Sequence, residues 1–232
     1  MIFNQLFDEK SHTYTYIISS GKGREALIID PVIEKTSEYL KILKSLELKL
    51  VKVIDTHIHA DHVSALNELN KKTKCTRIMG DKSPSEVIDI RVKDNEKINI
   101  ENIELTSIYT PGHTKCSYSF LMKDRIFTGD TLLINGTGRT DFQGGSAKDQ
   151  YNSIFNVLLK LPEETIVYPA HDYNGKKSSS IFNEKKNNPR LQVNSLNEYE
   201  EIMNNLKLDR PELMDYNVPA NVKGITLEKL KI

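Results

Sequence analysis

The stretch Thr56-His57-Ile58-His59-Ala60-Asp61-His62 decides how this chain is read, because it packs three of the protein's six histidines and a carboxylate into one short run. Immediately before it, Leu50-Val51-Lys52-Val53-Ile54 has the apolar, β-branched character of a buried strand. The cluster therefore falls where a strand ends and a loop begins, which is where α/β folds place their chemistry. A loop of solvated histidines would not need this density, and the imidazole–carboxylate spacing is that of metal ligands.

Working outward, the same arrangement recurs. Residues 103–109 read as a strand that runs into Thr110-Pro111-Gly112-His113. Residues 125–128 read as a strand that runs into Gly129-Asp130, and residues 165–168 as one that runs into Pro169-Ala170-His171-Asp172. Asp130 alone could be a turn-stabilising carboxylate. Four strand ends that each deliver a ligand type describe a preorganised metal cavity.

The rest of the chain supplies the frame. Residues 11–20 and 26–31 read as strands, the second stopped by Pro31, and residues 34–46 carry apolar positions at helical spacing. A helix is expected over 63–70, a short strand over 77–80, and hairpins over 97–109 and 118–128. Residues 148–160 place Tyr151, Ile154, Phe155, Leu158 and Leu159 on one helical stripe, and the chain from Lys176 to about Leu206 has helical character. No linker rich in Gly, Ser or Pro interrupts this order and no short repeat appears, so residues 1–232 are expected to form one α/β domain with a short helical C-terminal extension.

Composition closes off other functions. Lys plus Arg and Asp plus Glu balance at 32 each, with no long run of either sign, so nucleic acid and membrane surfaces are poor partners. The apolar runs are too short to span a bilayer, and the N-terminus lacks the basic and apolar regions of a secretory signal. Two cysteines, Cys75 and Cys116, lie outside any Cys-x-x-Cys pair. They are expected to be free, buried thiols of a cytoplasmic protein.

Together His57-x-His59-x-Asp61-His62, His113, Asp130 and His171 resemble the ligand pattern of the metallo-β-lactamase fold, an αββα sandwich with its metal at one edge of the two sheets. Within that superfamily the sequence is most similar to the persulfide dioxygenases, the sulfur dioxygenases of the ethylmalonic-encephalopathy protein type. The stretches Gly138-Arg139-Thr140-Asp141-Phe142-Gln143 and His171-Asp172-Tyr173 carry that resemblance, together with Asn188-Pro189-Arg190-Leu191 and Val218-Pro219-Ala220-Asn221. Hydroxyacylglutathione hydrolases usually show a Gly-Arg-Phe-Phe-Glu type of run and a His-Glu-Tyr at the first two places, and carry a longer C-terminal domain. One departure is that Thr114 is followed by Lys115-Cys116-Ser117 where the family often has Gly-Cys, which touches no ligand position.

The resemblance implies one Fe(II) per chain, held by His57, His113 and Asp130. These two imidazoles and one carboxylate form a facial triad that leaves positions open for substrate and O2. His59, Asp61, His62 and His171 are then either outer groups that orient ligands or ligands of a second metal. The implied reaction oxidises glutathione persulfide, or the persulfide of another small thiol, with O2 and water to sulfite and free thiol, in sulfide detoxification. Tyr173 and Arg190 match family positions near the substrate carboxylates. Arg139 is expected to pair with Asp141 or Asp61 and to fix the loop behind the metal. The family tends toward homodimers. A dinuclear zinc hydroxyacylglutathione hydrolase is the alternative, and a catalytically silent fold member a third reading that the intact ligand set disfavours.

Overall fold

A computed structural model describes residues 1–230. Its strands form two six-stranded sheets in which spatial order follows chain order. The first holds β1 (Ile2–Asp8), β2 (Thr13–Ser19), β3 (Glu25–Ile29), β4 (Lys49–Ile54), β5 (Thr76–Gly80) and β6 (Ile90–Val92). The second holds β7 (Lys97–Ile100), β8 (Ile103–Tyr109), β9 (Tyr118–Leu121), β10 (Arg125–Gly129), β11 (Ile166–Pro169) and β12 (Ser179–Ser180). Antiparallel pairing joins β1 to β3 and β7 to β10. Parallel pairing follows wherever a helix intervenes. The helix α1 (Thr36–Ser45) connects β3 to β4, and α2 (Leu66–Thr73) connects β4 to β5. A longer helical stretch connects β10 to β11: α3 (Ala147–Tyr151) runs on as a π-helical segment, Asn152–Val157, and a 3-10 turn, Leu158–Lys160.

Strand periodicity sorts side chains into layers. Leu27 and Ile29 of β3, with Tyr16 and Ile18 of β2, face Leu105, Phe120 and Phe127 of the second sheet, while Ile17 and Ile28 face the other way. That outer face is covered by Tyr39 and Leu43 of α1, Leu66 and Leu69 of α2, and Ala220 of α6 (Met214–Lys223). The outer face of the second sheet, with Ile108, Ile126 and Val167, is covered by Ile154 and Leu158, by Ile181 of α4 (Ile181–Asn187), and by Tyr199 and Met203 of α5 (Leu196–Asn204). The result is the αββα sandwich expected from the sequence. The C-terminal helices are divided between both outer layers.

Two differences from the sequence reading have plain causes. The strand β1 goes unpredicted because Ile2-Phe3-Asn4-Gln5-Leu6-Phe7 lies half-exposed at a sheet edge and shows no clean alternation. Helix α6 is hidden by Pro219 in its interior, a residue that normally ends helices. In addition, the helix α2 starts later than expected, at Leu66, whose amide donates to Ser64 Oγ at 3.1 Å in the turn before it.

The sheets are stitched together at one end. Tyr14 N donates to Ala170 O at 2.7 Å, Thr13 pairs with His171 across an isolated antiparallel bridge, and Tyr16 OH donates to Pro169 O at 2.5 Å. Every residue of the His/Asp constellation sits at this end.

Candidate metal centre

The loop after β4 carries His57, His59, Asp61 and His62, and the loop after β8 carries His113. Asp130 follows the last residue of β10, and His171 lies just beyond β11. Gly129 lets the chain turn sharply here. Its φ of +52° is costly for other residues, and a Cβ would stand 2.6 Å from Thr56 Oγ1.

His57, His113 and Asp130 present ligand atoms that all lie within 4.8 Å of one another. His57 Nε2 is 3.9 Å and His113 Nε2 3.5 Å from Asp130 Oδ2, somewhat wider than the about 3.0–3.4 Å of ligands sharing one ion at about 2.1 Å. The hydrogen bonds behind these rings fix the tautomer. Thr56 donates its hydroxyl to Asp30 Oδ2 at 3.0 Å, so its oxygen accepts from His57 Nδ1 at 2.9 Å. His113 Nδ1 faces the Arg139 carbonyl at 2.8 Å, and a carbonyl can only accept. Both rings therefore carry their proton on Nδ1 and turn a bare Nε2 toward Asp130, as metal-ligating imidazoles do. Burial, with His59 and His113 close by, holds His57 well below the ordinary histidine pKa and so neutral.

Asp130 belongs to a second network. Its Oδ1 accepts from His171 Nδ1 at 2.7 Å, while His171 Nε2 stands 2.9 Å from Asp61 Oδ2. Burial alone would neutralise these groups, but the two carboxylates outweigh it and raise His171 well above the ordinary histidine range. In return His171, hydrogen-bonded to it and charged, holds Asp130 far below the usual carboxylate range against its burial. His59 gives Nε2 to Asp30 Oδ1 at 3.2 Å, and that carboxylate, opposing burial, pushes its pKa up to about 9. His59 Nδ1 and His62 Nε2 are buried without a partner, which costs free energy unless something fills the space. Donor chemistry, tautomers and orphaned nitrogens all fit a metal.

The centre opens into a cavity of about 520 Å³ lined in part by His113, Asp130, His171, Tyr173 and Arg190. Tyr173 is exposed at its rim, its ring stacked parallel on His171 at 6.2 Å. Arg190 lies deeper, bonded to the Thr137 carbonyl and to Thr137 Oγ1 at 3.2 Å. Arg139 grips Asp141 with two bonds of 2.6 and 2.7 Å, and not Asp61. Cys75 and Cys116 are free and buried, and burial raises both thiols.

Several supporting residues escape a reading of the sequence. Asp30 reads as a strand end before Pro31, yet it accepts from Thr56 N at 2.7 Å as well as from Thr56 Oγ1 and His59. Asn221 of α6 donates Nδ2 to His59 O and His62 O, both at 2.9 Å, and accepts from Ser64 N at 2.8 Å. Asn217 donates to Ala60 O at 3.0 Å. A helix far along the chain thus holds the backbone of the histidine loop. Alanine at Asn221 strands these buried peptide groups, at about 1–3 kcal/mol for each. The expected result is a thermal midpoint lowered by roughly 6–12 °C, taking a combined loss of about 3 kcal/mol. A melting curve coinciding with the wild type's would remove Asn221 from this role.

Comparison with known proteins agrees with this geometry. The profile of the Metallo-beta-lactamase superfamily matches residues 9–171. Persulfide dioxygenase of Mus musculus is 38% identical over 96% of this chain and 88% of its own length. The crystal structure of ETHE1 from Myxococcus xanthus superposes with a TM-score of 0.93 at 44% identity, covering 96% of this chain and 98% of that one. The chain belongs to the persulfide dioxygenase family of the metallo-β-lactamase superfamily. Hydroxyacylglutathione hydrolases stand further off: a probable one from Schizosaccharomyces pombe is 33% identical over 82% of this chain and 73% of its own length. Family membership implies an enzyme with a metal, and the clustered His and Asp side chains could hold one. Among the described residues, no helix is long and apolar enough to cross a membrane.

Proposed function

We propose that this protein is a mononuclear Fe(II) persulfide dioxygenase that oxidises glutathione persulfide, or a similar small-thiol persulfide, with O2 to sulfite and free thiol. The observation that carries this reading is the triad itself. His57 and His113 offer bare Nε2 atoms and Asp130 an anionic oxygen, with His113 and Asp130 on the wall of a cavity large enough for a small thiol. A ferrous ion held by these three residues would supply adjacent open positions at which an anionic sulfur and O2 can meet.

The chain's own groups do the rest. Thr56 and the Arg139 carbonyl hold the two ligand rings in orientation. His171 neutralises part of the charge of Asp130 and Asp61 and holds the Asp130 carboxylate by its Oδ1, leaving Oδ2 toward the histidines. His59, Asp61, His62 and His171 orient water and ligands around the centre. Arg190 at the cavity wall and Tyr173 at its rim are the anchors for the carrier's carboxylates, Arg by paired hydrogen bonds. In this reading residues 1–232 form one domain, acting as a homodimer in the cytoplasm in sulfide detoxification.

One observation favours a second reading, a dinuclear zinc hydrolase of acylated thiols: His59, Asp61 and His62 form a further cluster of ligand atoms, and two of its nitrogens lack partners. An oxygen electrode separates the two. Purified iron-loaded protein given glutathione persulfide should consume O2 and release sulfite in step, and should leave S-lactoylglutathione intact. Thioester cleavage without oxygen uptake would establish the hydrolase instead.

A further inference from the structure

Thr13 opens β2, is fully buried, and plays no part in the triad. Its hydroxyl nevertheless occupies a crowded point: Oγ1 lies 3.0 Å from Asp61 Oδ2, 3.1 Å from His171 Nε2 and 3.3 Å from His62 Nδ1. Asp61 and His62 belong to the further ligand cluster with His59, and His171 adds another imidazole beside it. A carboxylate accepts only, so the hydroxyl proton goes to Asp61, and the oxygen's lone pairs face the two rings. Asp61 Oδ2 is itself 2.9 Å from both rings, so these contacts engage Asp61 Oδ2 and His171 Nε2, two atoms a second cation would have to recruit, while His62 is held by Nδ1 and keeps Nε2 unpartnered. Ser11 Oγ, 2.8 Å away, confines the hydroxyl from its outer side.

The backbone leaves the hydroxyl little freedom to withdraw. Thr13 bridges to His171, and the next residue donates Tyr14 N to Ala170 O at 2.7 Å. The side chain thus stands where the two sheets are sewn together, and it is β-branched with a restricted χ1.

We infer that Thr13 is a specificity-determining residue that limits this centre to one metal, its hydroxyl tying Asp61, His62 and His171 to one another so that they do not assemble a second site. The inference rests on the one-metal reading above and supplies a cause for it. Its position also gives a reason for a full set of second-site ligand types beside a single ion: Asp61 Oδ2 and His171 Nε2 are present but committed.

The test is metal stoichiometry, which does not depend on turnover. Metal-free wild type, Thr13→Ala and Thr13→Ser are titrated with Zn(II), passed through a desalting column, and assayed for zinc per chain, with circular dichroism to confirm folding. The wild type should retain about one zinc, Thr13→Ala about two, and Thr13→Ser, which restores the hydroxyl, about one again. Should the alanine variant fail to fold, Thr13→Val, which retains the branched shape without the hydroxyl, carries the same comparison. One zinc in every variant would overturn the role of Thr13 while leaving the one-metal reading standing. Two zincs in the wild type would instead overturn that reading, and the inference with it.

Discussion

Replacing Asp130 by asparagine is expected to give a folded protein that neither retains iron nor consumes oxygen. The two oxygens of this carboxylate do different work. Oδ1 accepts from His171 Nδ1 at 2.7 Å, and an asparagine carbonyl can take over that bond. Oδ2 faces His57 Nε2 and His113 Nε2, and there an amide NH2 offers no lone pair and no charge. The triad becomes two neutral imidazoles. Loss of an outer-shell partner alone costs about 10–100-fold in metal affinity or activity, so loss of a charged ligand should exceed about 100-fold in both. Alanine at the same position should do the same to metal and also lower the stability of the metal-free protein, because His171 then loses one of its two carboxylates in a buried site. Iron content by elemental analysis and oxygen uptake check the first effect, and melting curves of the two metal-free variants check the second. A metal-replete, active Asp130→Asn protein would remove Asp130 as a ligand.

The second large effect is expected from a single methyl group at Gly138. A Cβ there would stand 2.2 Å from the Asp130 carbonyl oxygen and 2.8 Å from His113 Nδ1, with backbone on one side and a ligand ring on the other. Gly138 N also donates to Asp130 O at 2.8 Å, and the following carbonyl, Arg139 O, receives His113 Nδ1. Relief of the clash must move this segment away from both ligands and break the bond that sets the His113 tautomer. Overpacking of this kind costs about 1–3 kcal/mol, which in a chain of this size is roughly 2–12 °C in thermal midpoint. Metal affinity should fall by at least about 10-fold. Gly21→Ala is the control, because a Cβ there meets nothing nearer than 3.8 Å. Equal behaviour of the two variants would show that the 138–139 segment does not support the centre.

Much of this was legible in the sequence because the determinants are local. β-branched runs gave the strands, helical spacing gave α1 and the helix after Ser146, and the His/Asp pattern at strand ends gave the site. The determinants that stayed hidden act across the chain. Thr13 looks like any strand threonine until β2 and β11 meet, and Asp30 looks like a strand terminus until its left-handed backbone turns the carboxylate onto Thr56 and His59. Asn221 enters the sequence reading only through the family resemblance of its stretch, and Pro219 obscures the helix that carries it. Its bonds to His59 and His62 span about 160 residues of chain, a distance over which no periodicity carries information. Nor does residue type distinguish one metal from two. His59, Asp61, His62 and His171 are ligands by chemistry, and only the bonds of Asp61 Oδ2 to His62 and His171 show which of their atoms are already engaged.

The most direct test of the whole account is the position and number of metal ions in the iron-loaded protein, read from anomalous diffraction measured at the iron edge. One peak per chain is expected, bounded by His57 Nε2, His113 Nε2 and Asp130 Oδ2, with Asp61 still bonded to His62 and His171. Two peaks bridged by Asp130, or a single peak held by Asp61, His62 and His171, would contradict it.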